Sequence, residues 1–188
     1  IPVDPNIENL KIYDYKNRYK DLFFALSHGV NFGKLKKGKS DERESFINQL
    51  MLNYPNIKYR ILRYGNVLYS TGSVLCKWKK LLQEGREVIV TDPSATRYFW
   101  TVNQAVDLIF ECMNKASNCS PYVPEMKSMS VGDLLQAMAE KYLPPGKQLK
   151  IKEIGLQPGE NLHEKILEDG KDSSEADKFT IEEILEMI

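Results

Sequence analysis

Lys58-Tyr59-Arg60-Ile61-Leu62-Arg63-Tyr64-Gly65-Asn66-Val67 is a β-favouring run that breaks at a glycine and an asparagine. Tyr59, Ile61, Leu62 and Tyr64 supply the bulk that predicts a strand over 58–64. The apolar period then changes from 2 to 3.6. Val74, Leu75, Trp78, Leu81 and Leu82 share one face of a predicted helix over 72–84, which Gly85 stops. A strand feeding a helix through a short polar turn is the repeating step of an α/β domain. Ligands of open α/β sheets bind beyond the carboxyl ends of the strands, so the turn after Arg63 is a candidate site.

The same alternation continues on both sides. Residues 88–90 read as a short buried strand, and Ala105, Val106, Ile109, Phe110 and Met113 set a helix over 102–115. An extended segment is predicted at 121–123. Ser130 with Asp133 three residues on is a capping pattern for a helix to Tyr142, ended by Pro144-Pro145-Gly146. A strand at 149–154 and a short helix at 161–168 follow. The tail, 169–188, is charged and Gly/Ser-containing to 177, so mobility is predicted there. Ile181, Ile184, Leu185 and Ile188 suit a last turn or two of helix. Upstream, 22–26 reads as a strand and 40–52 as a helix.

Composition narrows the function classes. The 188 residues are 42% hydrophobic, enough for one substantial core, and 26 basic residues balance 26 acidic ones. No global field favours nucleic acid or a membrane surface, so recognition of a charged ligand has to be local. No apolar run approaches the ~20 residues that span a bilayer, and no signal-peptide pattern opens the chain. A soluble, cytoplasmic protein is expected. Cys76, Cys112 and Cys119 form no CxxC pair, which points to structural thiols and to no metal site. The chain opens at Ile1 without methionine, as a processed or truncated product does.

Between the upstream strand and helix lies Gly33-Lys34-Leu35-Lys36-Lys37-Gly38-Lys39-Ser40, a match to GxxxxGK[ST]. In a phosphate loop the backbone amides cradle phosphate, the lysine contacts the terminal phosphates and the hydroxyl holds magnesium. Val88-Ile89-Val90-Thr91-Asp92 has the form of the accompanying strand that ends in a magnesium-binding aspartate. A P-loop nucleoside triphosphatase is therefore one reading. Against it, the pattern is loose and three neighbouring lysines repel one another in a tight turn. A solvated basic helix start accounts for the same residues.

Three stretches taken in order carry a different reading: Arg63-Tyr64-Gly65-Asn66-Val67, Thr91-Asp92-Pro93-Ser94-Ala95-Thr96-Arg97-Tyr98-Phe99 and Gln157-Pro158-Gly159-Glu160-Asn161-Leu162-His163-Glu164. Their order and spacing resemble the sugar-nucleotide-binding half of an extended short-chain dehydrogenase/reductase, closest to the UDP-N-acetylglucosamine 4,6-dehydratases of polysaccharide biosynthesis. The resemblance covers about residues 58–168 and, less closely, 22–49. It implies a partial Rossmann-like α/β fold with a C-terminal substrate-binding subdomain. The chain then divides into a remnant of the Rossmann portion at 1–57, a nucleotide-sugar portion at 58–168 and the tail.

The resemblance also implies roles. Asn66, the Gly72 and Ser73 amides at the helix start, Arg97 and Glu160 become contacts to a UDP-sugar, and Arg63 and Tyr64 contacts to an NADP cofactor. An Asn amide can bond a sugar hydroxyl or a phosphate, and an arginine can take a pyrophosphate bidentately. Gln157 replaces a family arginine, which removes one phosphate contact. Ala25-Leu26-Ser27 followed by His28, Phe32 and Lys36 aligns with the family's catalytic strand and Tyr-Gly-x-x-Lys helix. Lys36 matches the catalytic lysine. Phe32 stands at the tyrosine position and has no ionisable proton, and no Asp-Lys pair follows Ser27 to replace it. His28 is the remaining candidate base.

A hydride-transferring relative holds its cofactor on a Gly-rich turn, and no GxxGxxG or GxGxxG occurs in these residues. Three readings stay open: a 4,6-dehydratase or epimerase-type protein lacking its cofactor half, a non-catalytic UDP-sugar- or partner-binding homologue, or the P-loop triphosphatase. A homo-oligomer or a partner chain supplying the missing half is compatible with the first.

Overall fold

The structure is a computed structural model that describes residues 21–27, 48, 51–70, 72–117, 120–167 and 169–188. They form a Rossmann-like α/β fold in two compact units: 1–63 with 108–123, and 64–107 with 124–188.

In the first unit, strands β1 (Asp21–Ser27), β2 (Lys58–Tyr64) and β6 (Pro121–Tyr122) lie side by side in the order β1-β2-β6. β2 and β6 are parallel, with Ile61 opposite Pro121 and Leu62 opposite Tyr122. Tyr59, Ile61 and Leu62 are buried, as strands covered on both faces require. Leu108 and Cys112 of helix α2 (Val102–Lys115) are buried too, and the Cys112 thiol approaches the Ile61 carbonyl at 3.8 Å. Burial pushes that thiol up. Residues 51–53 end a helical stretch, as the 40–52 pattern predicts for its last turn.

The second unit holds the larger core. Helix α1 (Val74–Gln83) contributes Leu75, Trp78 and Leu82, and helix α3 (Val131–Tyr142) contributes Leu134, Leu135, Ala137 and Met138. Ile184 of helix α4 (Ile181–Met187) and Val88 and Val90 of strand β4 (Val88–Val90) complete it. The helix ends follow local chemistry. Ser130 Oγ accepts from the Asp133 amide, and Thr180 and Glu183 form a reciprocal capping box. Gly85, at φ +65°, takes the left-handed turn that ends α1. β4 pairs in parallel with β8 (Ile151–Glu153), and the Trp78 indole N–H donates to the Ile89 carbonyl, tying α1 to β4.

A second small sheet carries the candidate site. Strand β3 (Asn66–Val67) runs parallel to β5 (Thr96–Trp100), and β5 runs antiparallel to β7 (Ser128–Ser130). The sequence patterns do not reveal these three strands. The predicted helix at 161–168 is not formed among the described residues of that segment. Its backbone groups bond elsewhere: Leu162 O accepts the Thr96 amide, and the Glu164 amide is shared by Thr96 O and Ser173 Oγ. A helix needs those groups for its own ladder. In the 169–177 segment, where composition predicts mobility, Ser173 is wholly buried and Phe179 N, just beyond, donates to Ser128 O. Among the described residues no helix is long and apolar enough to cross a membrane.

Candidate functional site

Gly65 sets how closely β3 approaches β5. A Cβ there would lie 2.4 Å from Tyr98 Cβ and 2.5 Å from Tyr98 O, so only glycine permits this contact. Asn66 consequently sits at the start of β3, opposite Phe99. Its carboxamide nitrogen donates to Tyr98 O at 3.2 Å and to the Glu164 carboxylate at 3.1 and 3.4 Å. Glu164 is 8% exposed and also accepts the Tyr98 amide at 3.0 Å. A buried carboxylate is stable only where such donors satisfy it.

Arg97 lies next to this pair on β5. Its Nη1 donates to Thr96 O at 2.8 Å and to Leu162 O at 2.9 Å. Leu162 O also receives the Thr96 amide, so one carbonyl joins the 157–162 segment to both the strand and the guanidinium. The remaining guanidinium donors have no protein partner among the described residues, and they form the fork that suits an oxyanion.

Glu160 closes an exposed turn: its Oε2 accepts the Gln157 amide at 3.0 Å while its own amide donates to Gln157 O. Gly159 occupies the turn at φ +85°. Gly72, at φ +79° with open space around it, leads into Ser73, the N-cap of α1. The Ser73 side chain makes no cap bond, but the Ser73 amide already donates to Ser70 O at 2.8 Å, so only amides beyond it in the first turn of α1 are open to an anion. Asp92, which the triphosphatase reading assigns to magnesium, is held in a turn. Its Oδ1 accepts the Ser94 amide at 2.8 Å and the Ser94 hydroxyl at 2.6 Å, and these bonds hold its carboxyl below the usual carboxylate range.

Behind β5 lies a buried polar network that the sequence reading does not anticipate. Ser173 Oγ donates to Thr96 O at 2.8 Å and accepts the Glu164 amide at 2.7 Å. Thr96 Oγ1 stands 2.6 Å from Ser173 Oγ and 2.8 Å from His163 Nδ1. Each hydroxyl has one proton. With that of Ser173 on Thr96 O, that of Thr96 goes to Ser173, and His163 donates from Nδ1. Ser128 Oγ donates to Ser173 O at 2.6 Å, and Lys178 reaches both Ser128 Oγ and Ser173 O. Glu164 and His163 belong to the quoted 157–164 stretch. Their roles are hidden there because their partners lie dozens of positions away.

The structure thus brings Asn66 and Arg97 onto paired strands and attaches the segment carrying Glu160 to β5. Arg63 falls in the first unit, and Tyr64 is buried, with its hydroxyl pushed up by that burial. His28, Phe32, Lys36 and the loop from Gly33 to Ser40 lie outside the described residues.

The sequence profile of the polysaccharide biosynthesis protein family matches residues 38–185. The chain belongs to this family. Among its relatives, the capsular polysaccharide biosynthesis protein CapD of Staphylococcus aureus is 34% identical over 149 residues, 79% of this chain and 25% of its own. An inverting UDP-N-acetylglucosamine 4,6-dehydratase of Campylobacter jejuni is 33% identical over 108 residues, 57% of this chain and 30% of its own. Among solved structures, Pen from Bacillus thuringiensis superposes with a TM-score of 0.71 at 24% identity, over 95% of this chain and 65% of that one. The UDP-glucuronic acid 4-epimerase of Bacillus cereus, solved with UDP-glucuronic acid and NAD, gives 0.63 at 14% identity, over 89% of this chain and 59% of that one. At these identities the superpositions show a shared Rossmann-like α/β fold. The chain spans 21% to 38% of the length of the first curated relatives it matches.

Proposed function

We propose that the unit formed by 64–107 and 124–188 is the nucleotide-sugar-binding part of a UDP-N-acetylhexosamine 4,6-dehydratase or epimerase-type protein of polysaccharide biosynthesis. The observation that carries this reading is Arg97: two carbonyls pin one guanidinium nitrogen, and the rest of the fork is left for a pyrophosphate. The first-turn amides of α1 beyond Ser73, whose own amide is taken by Ser70 O, add a second anion-binding element, and Glu160 adds a carboxylate for ribose hydroxyls.

Family chemistry is oxidation at C4 of the sugar, loss of water across C5 and C6, and return of the hydride to C6. A nicotinamide cofactor, NADP by the family resemblance, supplies the hydride chemistry. The described residues do not fit that cofactor. Among them Gly65 is filled by Tyr98, and Gly72 stands alone before its helix, so no glycine-rich cradle for a dinucleotide is formed. Phe32 at the tyrosine position removes the usual acid/base. The reading is therefore of a UDP-sugar site whose catalytic set is incomplete in these residues.

Calorimetric titration of the 188-residue chain with UDP-N-acetylglucosamine, ATP and NADP tests it. Binding of the UDP-sugar, weakened about tenfold or more in Arg97→Ala as for a charge-assisted bond, supports it. A chain that binds ATP and not the UDP-sugar overturns it.

A further inference from the structure

The Asn66 carboxamide has no freedom to choose which end it shows a ligand. Its two neighbours on the protein side, Tyr98 O and the Glu164 carboxylate, are both acceptors, so only the NH2 end can face them. A flipped amide would set its oxygen against a carbonyl and a carboxylate in a half-buried place, where unpaired acceptors are costly. Both N–H bonds are thereby used. What remains is Oδ1, which has no protein partner among the described residues. A phosphate oxygen at neutral pH has no proton to give to an acceptor.

We propose that Glu164 is a positioning residue which orients Asn66 so that position 66 accepts a hydroxyl or N–H of the bound nucleotide sugar and makes no phosphate contact. This rests on the nucleotide-sugar reading above and sharpens it by dividing the labour. Arg97 takes the pyrophosphate, and Asn66 selects for a donor on the sugar or the base. Glu164 does this from a buried position that also holds the Tyr98 amide, so its carboxylate couples the geometry of β5 to the orientation of the amide on β3.

Two measurements test it. The first needs no ligand: in 1H–15N spectra the Asn66 side-chain NH2 is expected to exchange slowly beside the exposed Asn103 and Asn161, and to shift and exchange faster in Glu164→Gln. Exchange at the rate of those exposed asparagines, or no response to the substitution, overturns the positioning role. The second compares ligands. Asn66→Ala is expected to weaken UDP-N-acetylglucosamine about threefold to tenfold, the effect of one neutral hydrogen bond, and to leave inorganic pyrophosphate unchanged, whereas Arg97→Ala weakens both.

Equal losses for the two ligands in Asn66→Ala, or no loss for either, overturn the acceptor role. A wild-type chain that binds no UDP-sugar overturns the proposed function and the acceptor role with it, while the spectra still decide the pairing.

Discussion

The Ser173 hydroxyl lies 2.6 Å from the Thr96 hydroxyl, 77 positions earlier, in a place from which water is shut out: Ser173 is wholly buried and Thr96 is 7% exposed. Ser173→Ala leaves the Glu164 amide and Thr96 with fewer partners. Unsatisfied buried groups cost about 1–3 kcal/mol, and a loss of that size is expected in urea unfolding. An unchanged midpoint would mean that the C-terminal segment is not stitched to β5.

Gly65→Ala is expected to be among the most disruptive single-methyl changes in the chain. The new Cβ would meet Tyr98 backbone at 2.5 and 2.8 Å, and backbone cannot swing aside as a flexible side chain does. Overpacking of this kind costs about 1–3 kcal/mol. The thermal midpoint should fall, and UDP-sugar affinity with it, because Asn66 moves with its neighbour.

Leu82 and Trp78 separate packing from hydrogen bonding on the same helix. Leu82 is wholly buried, and Leu82→Ala should cost about 2–5 kcal/mol through the cavity it leaves. Trp78→Phe keeps most of the ring and removes the 3.1 Å bond to Ile89 O, for about 1 kcal/mol beyond the small packing change. Chemical denaturation of the two variants reads both.

Tyr69 and Tyr98 predict how the fold responds to alkali. Burial is the main cause that raises both phenols above 10, and the hydroxyl bond to Tyr142 at 3.0 Å adds to it at Tyr69. The fold favours the protonated forms. Their contribution is therefore complete below pH 10 and is lost as the pH climbs through the raised values. Stability measured by urea unfolding should begin to fall near pH 9, where the buried Cys112 thiol resists ionisation, and fall more steeply above about pH 10 as the phenols add to it. Replacing both residues by phenylalanine should make that alkaline limb shallower, with Tyr59, Tyr64 and Cys112 keeping the remainder.

Arg97→Lys is a finer test of the anion site than Arg97→Ala. Lysine keeps the charge but cannot hold two carbonyls with one nitrogen and present a fork with the others. Affinity for UDP-N-acetylglucosamine should fall by about tenfold, the order expected of a lost charge-assisted bond, and fluorescence competition against UDP reads the change. Equal affinity in the two proteins would show that only the charge matters.

The amino-acid sequence by itself determined the family and the helices at Val74–Gln83 and Val131–Tyr142. Leu75, Trp78 and Leu82 recur at the helical period, and the predicted 72–84 element is found as Val74–Gln83. Ser130 and Asp133 sit three apart, and the helix at 131 begins where that cap requires. These are local signals, legible because the interacting groups lie within one or two turns of each other. Tertiary structure alone decided the site. Thr96–Trp100 becomes a strand because its ladder partners arrive from 66–67 and 128–130. The described residues of 161–168, helical by pattern, form no helix because their backbone bonds go to Thr96 and Ser173. The sequence places Asn66 at a strand end but leaves the orientation of its amide open. That is settled by Glu164, 98 positions on, because a buried carboxylate accepts hydrogen bonds and cannot donate them.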